Sequence, residues 1–227
     1  LHAGFPLEDP TGLVLSCDGG TIFLADIGPE ASELEDGQSL LYAWDVAGGA
    51  LSAITTTGMA EAASLAIGPD CATLYATGYA DDGAPGLFRL SPAGGAAEAV
   101  LTGGPLQSPS GVFVDADGVA WVMDQLPGRG SGGVLWAVSP GGEASEVVSG
   151  LGLSEPAGVS RVAGGGTAVI ANRTADGEGQ LLAVHIESGE RTEIATSMIE
   201  PAGLRTAREA GVFAIADSDG DAIYRAR

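Results

Sequence analysis

Pro109-Ser110-Gly111-Val112-Phe113-Val114-Asp115-Ala116-Asp117-Gly118-Val119-Ala120-Trp121-Val122-Met123-Asp124 sets two short apolar runs on either side of an Asp- and Gly-rich turn. Such a pattern predicts a β-hairpin, because Asp-Gly supplies the turn and the flanking runs are too short for helices. The hairpin repeats along the chain. Its anchor, Pro-x-Gly, recurs as Pro10-Thr11-Gly12, Pro109-Ser110-Gly111, Pro156-Ala157-Gly158 and Pro201-Ala202-Gly203, with a degenerate copy at Ala62-Ala63-Ser64. The anchors are spaced by 52, 47, 47 and 45 residues. A period of this length with several strands per unit is the mark of a β-propeller.

A second strand follows each turn, at Thr21 to Ala25, Thr73 to Ala76, Val119 to Met123, Thr167 to Ala171 and Val212 to Ala216. A polar residue ends each one: Asp26, Thr77, Asp124, Asn172 and Asp217. A third strand comes after a Gly-rich loop, as in Leu40 to Trp44 and Val134 to Val138, and a more polar fourth strand closes the unit, as in Ala144 to Ser149. A four-stranded blade has two apolar faces and can bury both only between neighbouring blades, so the units are expected to close radially. The expected fold is therefore all-β: one domain over residues 1–227, a β-propeller of five four-stranded blades. The last repeat stops at its third strand, while Leu1-His2-Ala3-Gly4 falls in register with fourth-strand tails. Pairing of the N- and C-terminal strands is thus expected to close the ring.

Composition narrows the classes of function. The chain has 227 residues, 45% of them hydrophobic, with 37 Gly and 12 Pro to supply turns, and a formal charge of −21. Every basic side chain is Arg, and there is no Lys. Such a charge repels phosphate backbones and anionic lipid, which argues against nucleic acid and membrane surfaces and favours divalent cations or cationic partners. It fits simple solubility equally well. No apolar run approaches the ~18–20 residues of a membrane span, so no membrane insertion is expected. No signal-like segment precedes Leu1, and a chain starting at Leu reads as processed or trimmed. Cys17 and Cys71 fall in equivalent turns of the first two repeats. Either they form a disulfide between neighbouring blades, which would imply an oxidising, extracytoplasmic compartment, or they are two unpaired small residues.

The order Pro109 to Asp124 resembles an NHL-type repeat, and Ala216-Asp217-Ser218-Asp219-Gly220-Asp221-Ala222-Ile223-Tyr224-Arg225 resembles the later half of one. The second repeat departs by losing its Pro and Gly. The chain is also similar to the wider group that includes gluconolactonase-like and strictosidine-synthase-like propellers. That resemblance implies six blades and, in the lactonases, a divalent metal held at the channel by Glu, Asn and Asp. This sequence offers five blades and no clear copy of the metal motif.

The residue before each Pro-x-Gly reads Asp9, Glu61, Ser108, Glu155 and Glu200. Rotation about the channel would arrange the four carboxylates as a ring near one mouth, where oxygen ligands suit Ca²⁺ or another divalent cation. Alternatively, these side chains point to bulk water and cap strand entries. The polar residues that end the second strands are expected to bond their own downstream backbone, as Asp and Asn do in turns. Asp217-x-Asp219-Gly220-Asp221 lacks the helices and distal Glu of a calcium loop. Gly128-Arg129-Gly130-Ser131-Gly132-Gly133 precedes a strand rather than a helix, so no nucleotide cofactor is expected and it reads as a loop. His2 and His185 have no recognisable nucleophile beside them. Trp44, Trp121 and Trp136 are expected between blades, and one at the channel rim could stack on a sugar. The longest insertion, Ile27 to Ser39, is a natural place for a binding surface.

These readings favour a monomeric binding module for a protein, small-molecule or carbohydrate ligand, with a cation site at the channel mouth. The competing reading is a metal-dependent hydrolase of lactones or esters using Asp9, Glu61, Glu155 and Glu200 as ligands or base.

Overall fold

The structure is a computed structural model, and it describes residues 6–27, 40–125, 132–154, 157–162, 165–207 and 212–226. The described residues are all-β, without a helix. None of them forms a helix long and apolar enough to cross a membrane. Five antiparallel sheets succeed one another around an axis, as the 47-residue repeat predicts.

Blade 1 holds β1 (Pro10–Leu15), β2 (Thr21–Asp26), β3 (Leu41–Asp45) and β4 (Leu51–Ile54) in order. A two-residue strand, β5 (Thr56–Thr57), leads to blade 2, formed by β6 (Glu61–Ile67), β7 (Leu74–Tyr79), β8 (Pro85–Leu90) and β10 (Glu98–Thr102). The short β9 (Gly95–Ala96) leaves blade 2 to pair in parallel with β5, so the rims of the first two blades are laced together. Blade 3 is β11 (Ser108–Val114), β12 (Ala120–Gln125), β13 (Gly133–Val138) and β14 (Ala144–Leu151). Blade 4 is β15 (Val159–Arg161), β16 (Thr167–Arg173), β17 (Gly179–His185) and β18 (Arg191–Met198). Blade 5 has three described strands, β19 (Pro201–Ala207), β20 (Val212–Asp217) and β21 (Ala222–Ala226). The expected closing strand, Leu1 to Gly4, lies outside the described residues.

The core lies between blades rather than within them. Val14, Phe23, Ala25 and Leu41 of blade 1 pack on Leu65, Leu74, Ala76 and Phe88 of blade 2. Ala66 and Leu87 of blade 2 meet Val112, Val114 and Val122 of blade 3. Trp121, Met123 and Leu135 meet Val159, Ile170 and Leu182 of blade 4, and Val169 and Leu181 meet Leu204, Phe213 and Ile215 of blade 5. Alternate residues of each strand therefore serve opposite neighbours, which explains the nearly continuous apolar character of the first two strands.

The Pro-x-Gly anchor has a packing reason. In blades 1, 3 and 5 the x residue is a bulge, where the register of the first two strands shifts. The glycine then lets the inner strand of the next blade approach its backbone. A Cβ at Gly12 would lie 2.7 Å from Ser64 Cα; one at Gly111 would overlap the Ala157 carbonyl, and one at Gly158 that of Ala202. Gly203 differs, because among the described residues a Cβ there would meet only the Ala216 Cβ, at 3.9 Å.

Candidate functional site

The polar residues at the ends of the second strands hold the entry of each inner strand. Proline has no N–H, and Pro10, Pro109 and Pro201 stand opposite Asp26, Asp124 and Asp217 in the ladder. The amides just upstream therefore turn to the carboxylate. Asp26 accepts from Glu8 N (2.9 Å) and Asp9 N (2.7 Å), Asp124 from Gln107 N (3.1 Å) and Ser108 N (2.7 Å), and Asp217 from Ile199 N (2.9 Å) and Glu200 N (2.8 Å). Asn172 does the same for Gly152 N at 2.9 Å. The expectation of bonds to each residue's own downstream backbone is corrected in part: most of the accepted donors lie 16–20 residues upstream, on the preceding strand entry, while the bond from Gly220 N to Asp217 and that from Asn172 Nδ2 to Arg173 O follow the expected sense. The role within the blade is structural, as expected. Blade 2 has lost both members of the pair, with Ala62 for Pro and, opposite it in the ladder, Gly78 for Asp; the Thr77 expected at that position stands one place earlier, opposite Ser64, and its buried hydroxyl has no partner among the described residues.

Burial is the largest influence on the Asp124 carboxyl and holds it above the usual range, despite N–H bonds from Ser108, Gln107 and the Trp136 indole. Desolvation also pushes Asp217 upward, but the amides of Glu200, Ile199 and Gly220 together hold it below its ordinary value.

These bonds fix the backbone of the acidic column. Asp9 O accepts from Ile27 N, and Glu200 O from Ser218 N. Asp9 is exposed, whereas Glu61 and Glu200 are half-buried. Glu200 pairs with Arg173 of blade 4 at 3.2 Å, and Ser108 meets the Tyr79 hydroxyl of blade 2 at 3.3 Å. At these two positions the column thus contacts the preceding blade. Glu155 lies outside the described residues. Among the described residues no three His, Cys, Asp or Glu side chains gather so as to hold a metal ion. Asp9, Glu61 and Glu200 are thus not part of such a group among the described residues.

Two arginines that the sequence reading did not single out lie on inner strands. Arg205 of β19 donates from Nε to Leu13 O of blade 1 (2.8 Å), and from Nη2 to Leu65 O (3.2 Å) and Ser64 Oγ (3.5 Å) of blade 2. It reaches from blade 5 to the inner strands of blades 1 and 2. Its described acceptors are all neutral oxygens, and desolvation lowers its pKa to about 10. The available signal was an Arg at the place where the other repeats have Val14, Ala66, Phe113 and Ser160.

Arg161 of β15 lies over the Trp121 ring, 4.7 Å from its centroid, and pairs with Asp115 of blade 3. Asp115 also accepts from Asp117 N (2.9 Å), Val119 N (3.0 Å) and Trp121 Nε1 (2.9 Å), so the turn, the indole and the next blade meet on one carboxylate. The equivalent turns of blades 1 and 2 are joined covalently, by the Cys17–Cys71 disulfide with Cα atoms 5.7 Å apart. The first of the two cysteine readings therefore holds. Trp121 and Trp136 pack between blades as expected, and His185 is exposed beside Ser188. Gly128 to Ser131 and most of the Ile27 to Ser39 insertion lie outside the described residues.

No family model matches the chain, and no curated protein matches it. Solved structures do. A chain of the nidogen–laminin complex superposes with a TM-score of 0.74 at 14% identity, covering 98% of this chain and 77% of that one. A protein described as TolB from Agrobacterium tumefaciens gives 0.70 at 15% identity, over 96% and 80%. One described as a gluconolactonase gives 0.62 at 18% identity, over 92% and 72%. At these identities the likeness is one of fold. It shows that the chain has the β-propeller fold of these structures, here with five blades.

Proposed function

We propose that the chain is an extracytoplasmic binding propeller that recognises a protein partner through its outer surfaces rather than by chemistry in its channel. The observation that carries this reading is Arg205, which reaches from blade 5 to the inner strands of blades 1 and 2 and occupies with protein groups the place where a channel substrate would sit. The nearby carboxylates are engaged as well: Asp26, Asp124 and Asp217 hold backbone amides, and Glu200 holds Arg173. The disulfide supports an oxidising compartment, because cytosolic thiols are kept reduced. The likeness to a chain from a nidogen–laminin complex supports protein binding, though fold alone does not carry function.

The competing hydrolase reading draws on the gluconolactonase-like neighbour and on Asp9, Glu61, Glu155 and Glu200 as a divalent-cation rim. Metal analysis of the purified protein, paired with a panel of lactones and esters, separates the two. The binding reading expects no turnover. A stoichiometric divalent ion, with hydrolysis that is lost in Glu61→Gln, overturns it.

A further inference from the structure

The turns that join the first two strands of blades 1, 2 and 3 are built alike. In each, the amide of the fourth residue donates to the carbonyl of the first: Gly19 N to Ser16 O (3.0 Å), Cys71 N to Gly68 O (3.0 Å) and Gly118 N to Asp115 O (3.1 Å). The third residue is an acid every time, as Asp18, Asp70 and Asp117. Glycine holds the fourth place in blades 1 and 3, with φ of 75° and 79°, a conformation that disfavours a side chain. Blade 2 has Cys71 there instead, at φ 58°. The cysteine thus takes a position that suits glycine, and its sulfur bonds Cys17 of the neighbouring turn.

The two ends of that bond differ in access. Cys71 is exposed, whereas Cys17 is half-buried. A thiolate has to reach the sulfur it attacks, so access favours Cys71. Each sulfur also has a carboxylate on the adjoining residue, Asp18 beside Cys17 and Asp70 beside Cys71, and neither turn contains a basic residue. Asp18 accepts from Ser16 Oγ (2.6 Å) and Gly20 N (3.0 Å), and Asp70 from Thr73 Oγ1 (2.6 Å), Ala72 N (3.0 Å) and Thr73 N (3.0 Å). These bonds, led by the hydroxyl in each turn, hold both carboxyls below their ordinary value, so both are charged at neutral pH. Neighbouring Cα atoms are about 3.8 Å apart, which keeps each charge within the ~10 Å reach of an exposed charge at 0.1 M salt.

Opening the bond leaves the two blades together. Thr55 O and Thr57 O still accept from Gly95 N (2.9 Å) and Ala97 N (2.8 Å), and Phe23, Leu65, Leu74 and Phe88 are buried between the blades. The thiols therefore stay side by side and can close again.

We propose that Cys17–Cys71 is a reversible exchange site for small thiols, entered at the Cys71 sulfur, and that Asp18 and Asp70 make it selective for cationic thiols by repelling anionic ones. The reagent's thiolate attacks Cys71 Sγ; the S–S bond breaks and its electron pair leaves on Cys17 Sγ, which takes a proton from water. A second reagent thiolate attacks the reagent's own sulfur in the mixed disulfide and releases Cys71 as thiolate. Two reagent thiols are thereby oxidised to one disulfide as the protein's disulfide is reduced to two thiols.

The test reduces the purified, oxidised chain at low salt with cysteamine, which carries an ammonium, and with mercaptoacetate, which carries a carboxylate. Each rate is divided by that of the same reagent with the neutral disulfide of mercaptoethanol, which cancels intrinsic reactivity. Cysteamine is expected to be favoured about tenfold, and about 1 M sodium chloride should remove most of that preference. Asp18→Asn with Asp70→Asn should shrink it at least threefold. Asparagine keeps the turn acceptor, and unchanged circular dichroism would show that the variant folds. Glu187→Gln with Glu190→Gln removes the same charge from an exposed turn of blade 4 and should leave the preference unaltered. Early reaction with cysteamine, quenched by N-ethylmaleimide, should yield cysteamine on Cys71 and the alkyl group on Cys17. Equal normalised rates, a preference that survives salt or the asparagine pair, equal shrinkage in the blade 4 pair, or cysteamine found on Cys17 overturns the proposal.

Discussion

Asp124 and Asp217 occupy equivalent positions and hold equivalent amides, yet their carboxyls are displaced in opposite directions. In Asp124 desolvation wins, so the folded state favours the protonated form, and this contribution to stability is lost as pH rises above the ordinary carboxylate value. In Asp217 the amide donors win, so the contribution is present above that value and lost as pH falls below about 4. Asn172 shows that a neutral amide oxygen can serve the same position. Asp124→Asn is therefore expected to be neutral or stabilising at pH 7, and Asp217→Asn destabilising at pH 7 with a penalty that fades toward acid. Urea unfolding of both variants between about pH 3 and 7 checks this; the same pH trend in both would refute it. Asp124→Ala, which orphans the half-buried amides of Gln107 and Ser108, should cost about 1–3 kcal/mol at any pH in that range.

Between strands, the decisive feature is the close approach allowed by Pro-x-Gly. Because a methyl at Gly111 would overlap the carbonyl of Ala157, blades 3 and 4 would have to separate, and Gly111→Ala should cost about 3 kcal/mol. Among the described residues Gly203→Ala faces only the Ala216 methyl at 3.9 Å, and it should be close to neutral. Comparing the two midpoints in denaturant tests whether the glycine acts through its neighbour blade or through its own backbone, since the second case predicts equal losses. The motif was visible in the sequence because close packing tolerates few residue types, and so it repeats with the blade. The inter-blade contacts that break the repeat were not visible. Arg161 with Asp115, and Arg205 with the carbonyls of Leu13 and Leu65, each join residues 46 or more positions apart, and no pattern within one repeat encodes them.

At the scale of the whole molecule, the period counts the blades because a radial fold repeats one burial problem five times, whereas the acidic column shows how far such reasoning reaches. Its members share a position in the repeat, but side-chain direction is set by neighbours that differ from blade to blade. Glu200 has Arg173 beside it, and Ser108 has Tyr79. The ring's own integrity also differs around its circumference. Blades 1 and 2 are joined by Cys17–Cys71, blades 3 and 4 by Arg161 and Asp115, and blades 5 and 1 by Arg205. The disulfide closes a loop across 54 residues, for which loss of denatured-state entropy gives a stabilisation of about 4 kcal/mol in the chain-entropy model. An ion pair on a stacked arginine contributes less, because one of its charges is partly solvated and the other must be desolvated. Cys17→Ser with Cys71→Ser is therefore expected to lower the unfolding free energy several-fold more than Arg161→Met, without changing the native strand content. Urea unfolding followed by circular dichroism measures both. An equal loss in the two variants would mean that the blades are held by their apolar faces alone, and that neither latch contributes beyond the packing around it.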